Sequence, residues 1–260
     1  LTGVLDAPPS GLSPGGRHPA ALCAARASYR LLQISRFTLA DVNLNDRSIT
    51  GLVMLAHAMV HTYELSLPIL LGVWAVRFET ATLPLVGTFP VTDFVLGVVL
   101  TIGYAPFGLG ALPGGVLADA YGSRTLIAAC LLGMGGSFLA LALAPSLPVV
   151  ALCLFVWGVA ASVYHPSGLA LISKGVSERG SAFAYHGIAG NVGIGVGPLL
   201  TALLLLFVGE PDWRLAVGVL AVPALLAAAL AIRIDVDETA AVASDGGDAR
   251  ASGSVSSLGE

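Results

Sequence analysis

Charge is the scarcest property of this sequence. Only 11% of its 260 residues are Asp, Glu, Lys or Arg, and Lys174 is the single lysine. A soluble domain carries about 25%. With 56% hydrophobic residues and a mean hydropathy of +0.87, one water-soluble globule cannot hide so much apolar surface. No basic stripe accompanies the net charge of −4, so no nucleic-acid partner is expected. Cysteine is nearly absent. Cys23, Cys130 and Cys153 show no ligand spacing, and the last two fall in apolar runs where cysteine behaves as a small hydrophobe. Two catalytic signatures are also missing. There is no Gly-x4-Gly-Lys-(Ser/Thr) phosphate loop and no His-Glu-x-x-His, which argues against a fused ATPase and a helix-borne zinc protease. No cofactor is expected.

What is present in abundance is apolar runs. Crossing about 30 Å of hydrocarbon takes about 20 helical residues. Six stretches qualify: Thr50–Val76, Phe94–Ala118, Thr125–Ala144, Pro148–Ile172, Phe183–Val208 and Trp213–Ile232. Most connections are short, which makes sequential helices antiparallel neighbours. The expected fold is an all-α membrane protein with a six-helix bundle over 48–233. Residues 1–47 read as an N-terminal extension, disordered or from a mis-set start, with a possible short helix from Arg30 to Leu39. Residues 234–260 read as an acidic, disordered cytoplasmic tail or linker. With the N-terminus inside, Arg36, Arg47, Arg124, Lys174, Arg179 and Arg233 are cytoplasmic and only Arg77 and Arg214 lie outside. The positive-inside rule therefore puts both termini in the cytoplasm, in a multi-pass protein of the cell membrane. Trp74 and Trp213 are expected to anchor at the lipid interface.

Against this background the ionisable residues inside spans stand out. One costs about 2.5–3.5 kcal/mol at a helix centre on the insertion scale, so it faces a bundle interior or a wet cavity. Four of the five histidines and one glutamate are placed so. At about 100° per residue, His57, His61 and Glu64 share one face of the first span. His57 and His61 are spaced i, i+4, as metal ligands are, but spacing fixes no third ligand, so no metal site is expected. His165 lies in the fourth span behind Tyr164, and His186 in the fifth, five residues before Asn191. Small residues form stripes: Gly103, Gly110 and Gly114 in the second span, His186, Gly190, Gly193 and Gly197 in the fifth. In lipid, helices associate by close backbone approach at such positions.

The loop after the second span reads Gly115-Val116-Leu117-Ala118-Asp119-Ala120-Tyr121-Gly122-Ser123-Arg124. It resembles the signature loop of the major facilitator superfamily, Gly-x-x-x-Asp-(Arg/Lys)-x-Gly-(Arg/Lys)-(Arg/Lys). Gly115, Asp119, Gly122 and Arg124 match, while Ala120 and Ser123 replace basic residues. Gly193-Ile194-Gly195-Val196-Gly197-Pro198 is similar to the Gly-x-x-x-Gly-Pro element of family members that export by antiport, and Pro198 should bend its helix. Tyr164-His165-Pro166-Ser167-Gly168 with Tyr185-His186-Gly187 looks like the fosmidomycin-resistance type of exporter within that superfamily.

The resemblance implies six helices arranged as two three-helix repeats, half of a twelve-helix fold. It implies a secondary transporter of a small solute or drug, moved by alternating access and coupled to protons or another ion. The remainder would be a missing C-terminal half or a homodimer partner, and the lack of an initial methionine favours a fragment. It further implies that the first and fourth helices line a central cavity and that Asp119 latches to basic residues and a helix N-terminus of the second half. His57, His61, Glu64, Tyr164, His165, His186 and Asn191 are the candidate cavity and coupling residues. Glu64, the only carboxylate well inside a span, is expected to take up and release the coupling proton, shared with His61 or His57. Two competitors remain: an intramembrane enzyme using Ser167 with His186, and a non-transporting six-span scaffold.

Overall fold

The computed structural model describes residues 44–208 and 212–243. The expectations for 1–43 and 244–260 lie outside the described residues. Helix α1 runs Leu44–Arg77. A two-stranded hairpin follows, β1 Thr80–Leu83 and β2 Gly87–Pro90, paired antiparallel with Thr80 opposite Pro90 and Leu83 opposite Gly87. Then come α2 Asp93–Leu109, α3 Ala111–Tyr121, α4 Ser123–Ala142, α5 Leu147–Ser162, α6 Tyr164–Gly175, α7 Arg179–Val208 and α8 Trp213–Arg233. Counting α2 with α3, and α5 with α6, gives six spans that match the apolar runs in the sequence.

Two spans are broken, each by a proline. Pro113 cannot donate to the carbonyl of Leu109, four residues back, and α2 ends there. The chain turns 48° at Gly110 before α3 begins. Pro166 likewise cannot donate to Ser162, the last residue of α5, and the break falls at Val163. By contrast α7 runs as one helix through Pro198.

The packing carries a two-fold pattern. The main pairs are α1 with α7, α2 with α5, and α4 with α8, that is, spans 1 with 5, 2 with 4 and 3 with 6. Exchanging spans 1, 2, 3 for 4, 5, 6 turns the first pair into the second and leaves the third unchanged. The bundle is therefore two three-helix repeats. The two glycine stripes hold equivalent places. A Cβ on Gly103 would come 3.1 Å from Leu154 Cβ, and one on Gly114 would come 3.0 Å from Pro166 Cγ, so span 2 lies against span 4. A Cβ on Gly193 or Gly197 would strike the backbone carbonyls of Ala58 and Thr62, so span 5 lies against span 1. Only glycine lets the backbones come so near, and the gain is van der Waals contact along the seam.

The surface is inverted relative to a soluble protein. Leu206, Phe207, Leu226 and Ile232 are 76, 83, 66 and 59% exposed on the outer faces of α7 and α8, as a bilayer solvent requires. The tryptophans depart from expectation. Trp74 and Trp213 are wholly buried and meet edge to face, ring centres 6.1 Å apart, with Phe78 beside Trp213. They close the bundle at the hairpin end instead of anchoring in lipid, because packing against each other buries more of each ring.

The domain boundaries also shift. Helix α1 begins at Leu44, inside the expected extension, and residues 234–243 dock against the bundle. Asp237 N donates to Asn45 Oδ1 at 2.8 Å, Asn45 Nδ2 donates to the Gly175 and Asp237 carbonyls, and Ala241 is buried. Its polar residues show no apolar periodicity; hydrogen bonds and the packing of Ile234 and Val236 against the core hold it.

Candidate functional site

The histidines of spans 1, 4 and 5 converge. His57 and His61 project from α1 one turn apart, His165 from the first turn of α6, and His186 from α7. The His57 and His186 rings stack at 3.8 Å, 14° apart, over Gly190. That residue must be glycine, because a Cβ there would fall 2.5 Å from His57 Cε1. The His165 ring stands 5.3 Å from that of His57 and 5.5 Å from that of His61. His57 and His186 are buried, while His61 and Glu64 keep side-chain exposures of 18 and 22%.

Hydrogen bonds join the group into a chain. His57 Nδ1 lies 2.7 Å from the His186 carbonyl oxygen, His57 Nε2 lies 3.0 Å from His61 Nε2, and His61 Nδ1 lies 2.6 Å from Glu64 Oε2. A carbonyl can only accept, so His57 Nδ1 carries a hydrogen. Glu64, when ionised, accepts from His61 Nδ1. The backbone of Glu64 is held by a further device. Pro68 leaves the Glu64 carbonyl without its helical donor, and Tyr104 Oη of α2 donates to it at 2.8 Å.

The other candidates are placed differently. Tyr164 is buried, and its hydroxyl donates to the Val53 carbonyl at 2.5 Å. It ties span 4 to span 1 and walls the cluster, with its ring 5.5 Å from that of His57. Asn191 is exposed, and its amide donates to Gly187 on its own helix at 3.0 Å; it stands outside the cluster. Ser167 Oγ donates to the Val163 carbonyl at 2.7 Å, so its proton is engaged by backbone and the imagined dyad with His186 has no support. Sequence reasoning missed Tyr104, Phe107 and Trp157: the Trp157 ring packs against the other two, and Phe107 against His165. A proline four residues after Glu64 was the available signal for Tyr104. Towards the hairpin end, a hollow of about 510 Å³ opens between α1 and α7, lined by Ile69, Val73, Val76, Arg77, Ala202 and Leu205 among others, away from the histidines.

At the opposite end lies the Gly115–Arg124 loop. Asp119 Oδ1 meets Lys174 Nζ at 2.8 Å, both exposed, so within these residues the aspartate pairs with the end of span 4 and not with a second half. Gly122 takes φ +85°, which favours glycine, and starts α4. Glu238 then caps that helix, accepting from Ser123 N at 2.7 Å and Arg124 N at 2.9 Å. Arg124 reaches the other way, donating to the carbonyls of Ile232 and Ile234 at the C-terminus of α8. Each charge sits at the helix end whose dipole it complements. At the start of span 5, buried Asp46 accepts from Ser177 N and Glu178 N.

Known proteins fit this picture. The family model described as Major Facilitator Superfamily matches residues 44–256. A puromycin resistance protein, pur8, of Streptomyces alboniger is 37% identical over 132 residues, 50% of this chain and 26% of that protein. An uncharacterized MFS-type transporter, YfnC, of Bacillus subtilis (strain 168) is 36% identical over 92 residues, 34% of this chain and 22% of that protein. The matched stretches thus span about a quarter of each relative's length. With a matching model over most of its length, a six-span bundle of two repeats and the signature loop in place, this chain belongs to the major facilitator superfamily.

Proposed function

We propose that this chain forms one six-span half of a secondary active exporter that moves a small organic solute by alternating access. The observation that carries the reading is the meeting of His57, His61, Glu64, His165 and His186, from three spans, inside a bundle whose outside is apolar. Binding sites near the bilayer midplane, where repeats meet, are the usual arrangement in secondary transporters. Membership of the superfamily supports drive by an ion gradient, with the proton as the coupling ion. The name of the puromycin-resistance relative supports outward movement of a small molecule.

A second six-span half completes the transport path, supplied either by the same polypeptide or by a second copy of the chain. The bundle sits in the cytoplasmic membrane with its loop end inside. Arg47, Arg124, Lys174, Arg179 and Arg233 cluster there, against Arg77 and Arg214 at the hairpin end. The Asp119–Lys174 pair then joins the cytoplasmic ends of spans 2 and 4, and the Glu238 clasp joins those of spans 3 and 6.

The test is transport in inverted vesicles from cells making the full-length gene product. The expected result is accumulation of a fluorescent cationic or aromatic drug when respiration acidifies the lumen, and its collapse on adding a protonophore. Accumulation that ignores the protonophore and follows ATP addition would remove the gradient-driven reading. Vesicles that behave as those lacking the protein, across a panel of such drugs, would favour a non-transporting role.

A further inference from the structure

The geometry points to a transition-metal site in which His57, His61 and His165 bind one divalent ion of the zinc, copper, nickel and cobalt class. With Glu64 ionised, the hydrogen-bond partners assign the ring nitrogens. His57 Nδ1–H is engaged by the His186 carbonyl and His61 Nδ1–H by the Glu64 carboxylate, at 2.7 and 2.6 Å. Both Nε2 atoms are then lone pairs, and they face each other at 3.0 Å. Two lone pairs so placed repel unless a cation lies between them.

A proton is the smallest such cation, and it would bridge two imidazoles. Here a third is at hand. Ligand nitrogens of His57, His61 and His165 lie within 4.8 Å of one another. Two ligands of a tetrahedral ion with bonds of about 2.0–2.1 Å stand about 3.3 Å apart, so the His57–His61 spacing already fits. Binding would draw the His165 nitrogen in from its place within 4.8 Å of the other two. The outer partners match those of metal-bound histidine, whose second nitrogen donates to a carboxylate or a backbone carbonyl. Imidazole ligands suit zinc, copper and nickel. Three protein ligands leave a fourth position open, and the partial exposure of His61 and His165 gives an ion a way in. The inference goes beyond the transport reading and is read without any transport.

The experiment is a Co2+ titration of the purified chain in detergent, carried on a histidine-free tag and stripped with chelator. One equivalent should bind and give the intense visible bands of a four- or five-coordinate ion, displaced by Zn2+. Cu2+ in the same site should show nitrogen hyperfine structure from imidazoles by electron paramagnetic resonance, a measurement on the unaltered protein that needs no folded variant. His165→Gln should weaken binding at least tenfold. Glu64→Gln, which keeps the shape but not the carboxylate, should weaken it about 10–100-fold. His18→Gln should leave the titration unchanged. A pale six-coordinate cobalt spectrum, or binding indifferent to His165→Gln, overturns the proposal and leaves a proton alone between His57 and His61.

Discussion

Glu238 and Asp119 are both carboxylates at the loop end, yet they do different amounts of work. Glu238 accepts two backbone N–H groups at the start of α4, donors that no residue of that helix can satisfy. Losing such a cap costs about 1 kcal/mol. Asp119 meets Lys174 in the open, with side-chain exposures of 71 and 47%, and a pair of that kind contributes well under about 1 kcal/mol. Glu238→Ala should therefore lower the thermal midpoint of the helical circular dichroism in detergent clearly more than Asp119→Asn does. Gly122→Ala should cost about 1–3 kcal/mol in the same melt, because its φ of +85° strains any residue with a Cβ. That Cβ would also crowd Glu238 Oε1 at 3.2 Å. The aspartate was legible from the loop pattern. Glu238 was not, because its partners lie more than a hundred positions away and nothing in the local sequence of a cap-giving tail marks it.

The elements show where periodicity suffices and where it does not. Each of the six spans was readable, since a run of apolar residues of membrane length has few other fates. The breaks at Gly110 and Val163 were written in Pro113 and Pro166, four residues downstream of each helix end, but an apolar run looks continuous across them. The hairpin of 80–90 escaped notice because it is short and lies between two spans that dominate the signal. The glycine stripes were visible as spacing, while their partners were not. Spacing identifies a face; only packing names the helix it meets. The seam between α1 and α7 makes a sharp prediction. A Cβ on Gly195 meets nothing within 4 Å, so Gly195→Ala should be neutral or gain up to about 1 kcal/mol from helix propensity. Gly197→Ala, pressed on the Thr62 carbonyl, should lose about 1–3 kcal/mol by overpacking. Thermal melts of the two variants side by side check the difference, and equal melts would mean the seam opens without cost.

At the scale of the whole molecule, the cluster and the orientation depend on the same arrangement of spans. No single helix holds the site: α1 gives two imidazoles and a carboxylate, α6 one imidazole, and α7 a stacked ring and a carbonyl. Composition could only list these groups as costly in lipid, and the family resemblance gathered them around one cavity; the stacking and hydrogen bonds that join the rings were not legible, because they depend on the pairing of span 1 with span 5. Orientation is set by charge at the ends. Inserted with the loop end inside, the chain keeps five cations, Arg47, Arg124, Lys174, Arg179 and Arg233, on the cytoplasmic side and sends Arg77 and Arg214 across. The reverse topology would translocate the larger set, against the bias that governs insertion. The hairpin tip reports on this directly, because Leu85 is 100% exposed beyond the first span. At the other end Thr239 lies on the docked segment. In a background where Cys23, Cys130 and Cys153 are replaced by alanine, Leu85→Cys should react with a membrane-impermeant maleimide on intact cells. Thr239→Cys should react only after the membrane is permeabilised. The opposite pattern would invert the assignment of sides, and with it the placing of the Asp119 loop and the Glu238 clasp in the cytoplasm, while leaving the bundle and its histidines where they are.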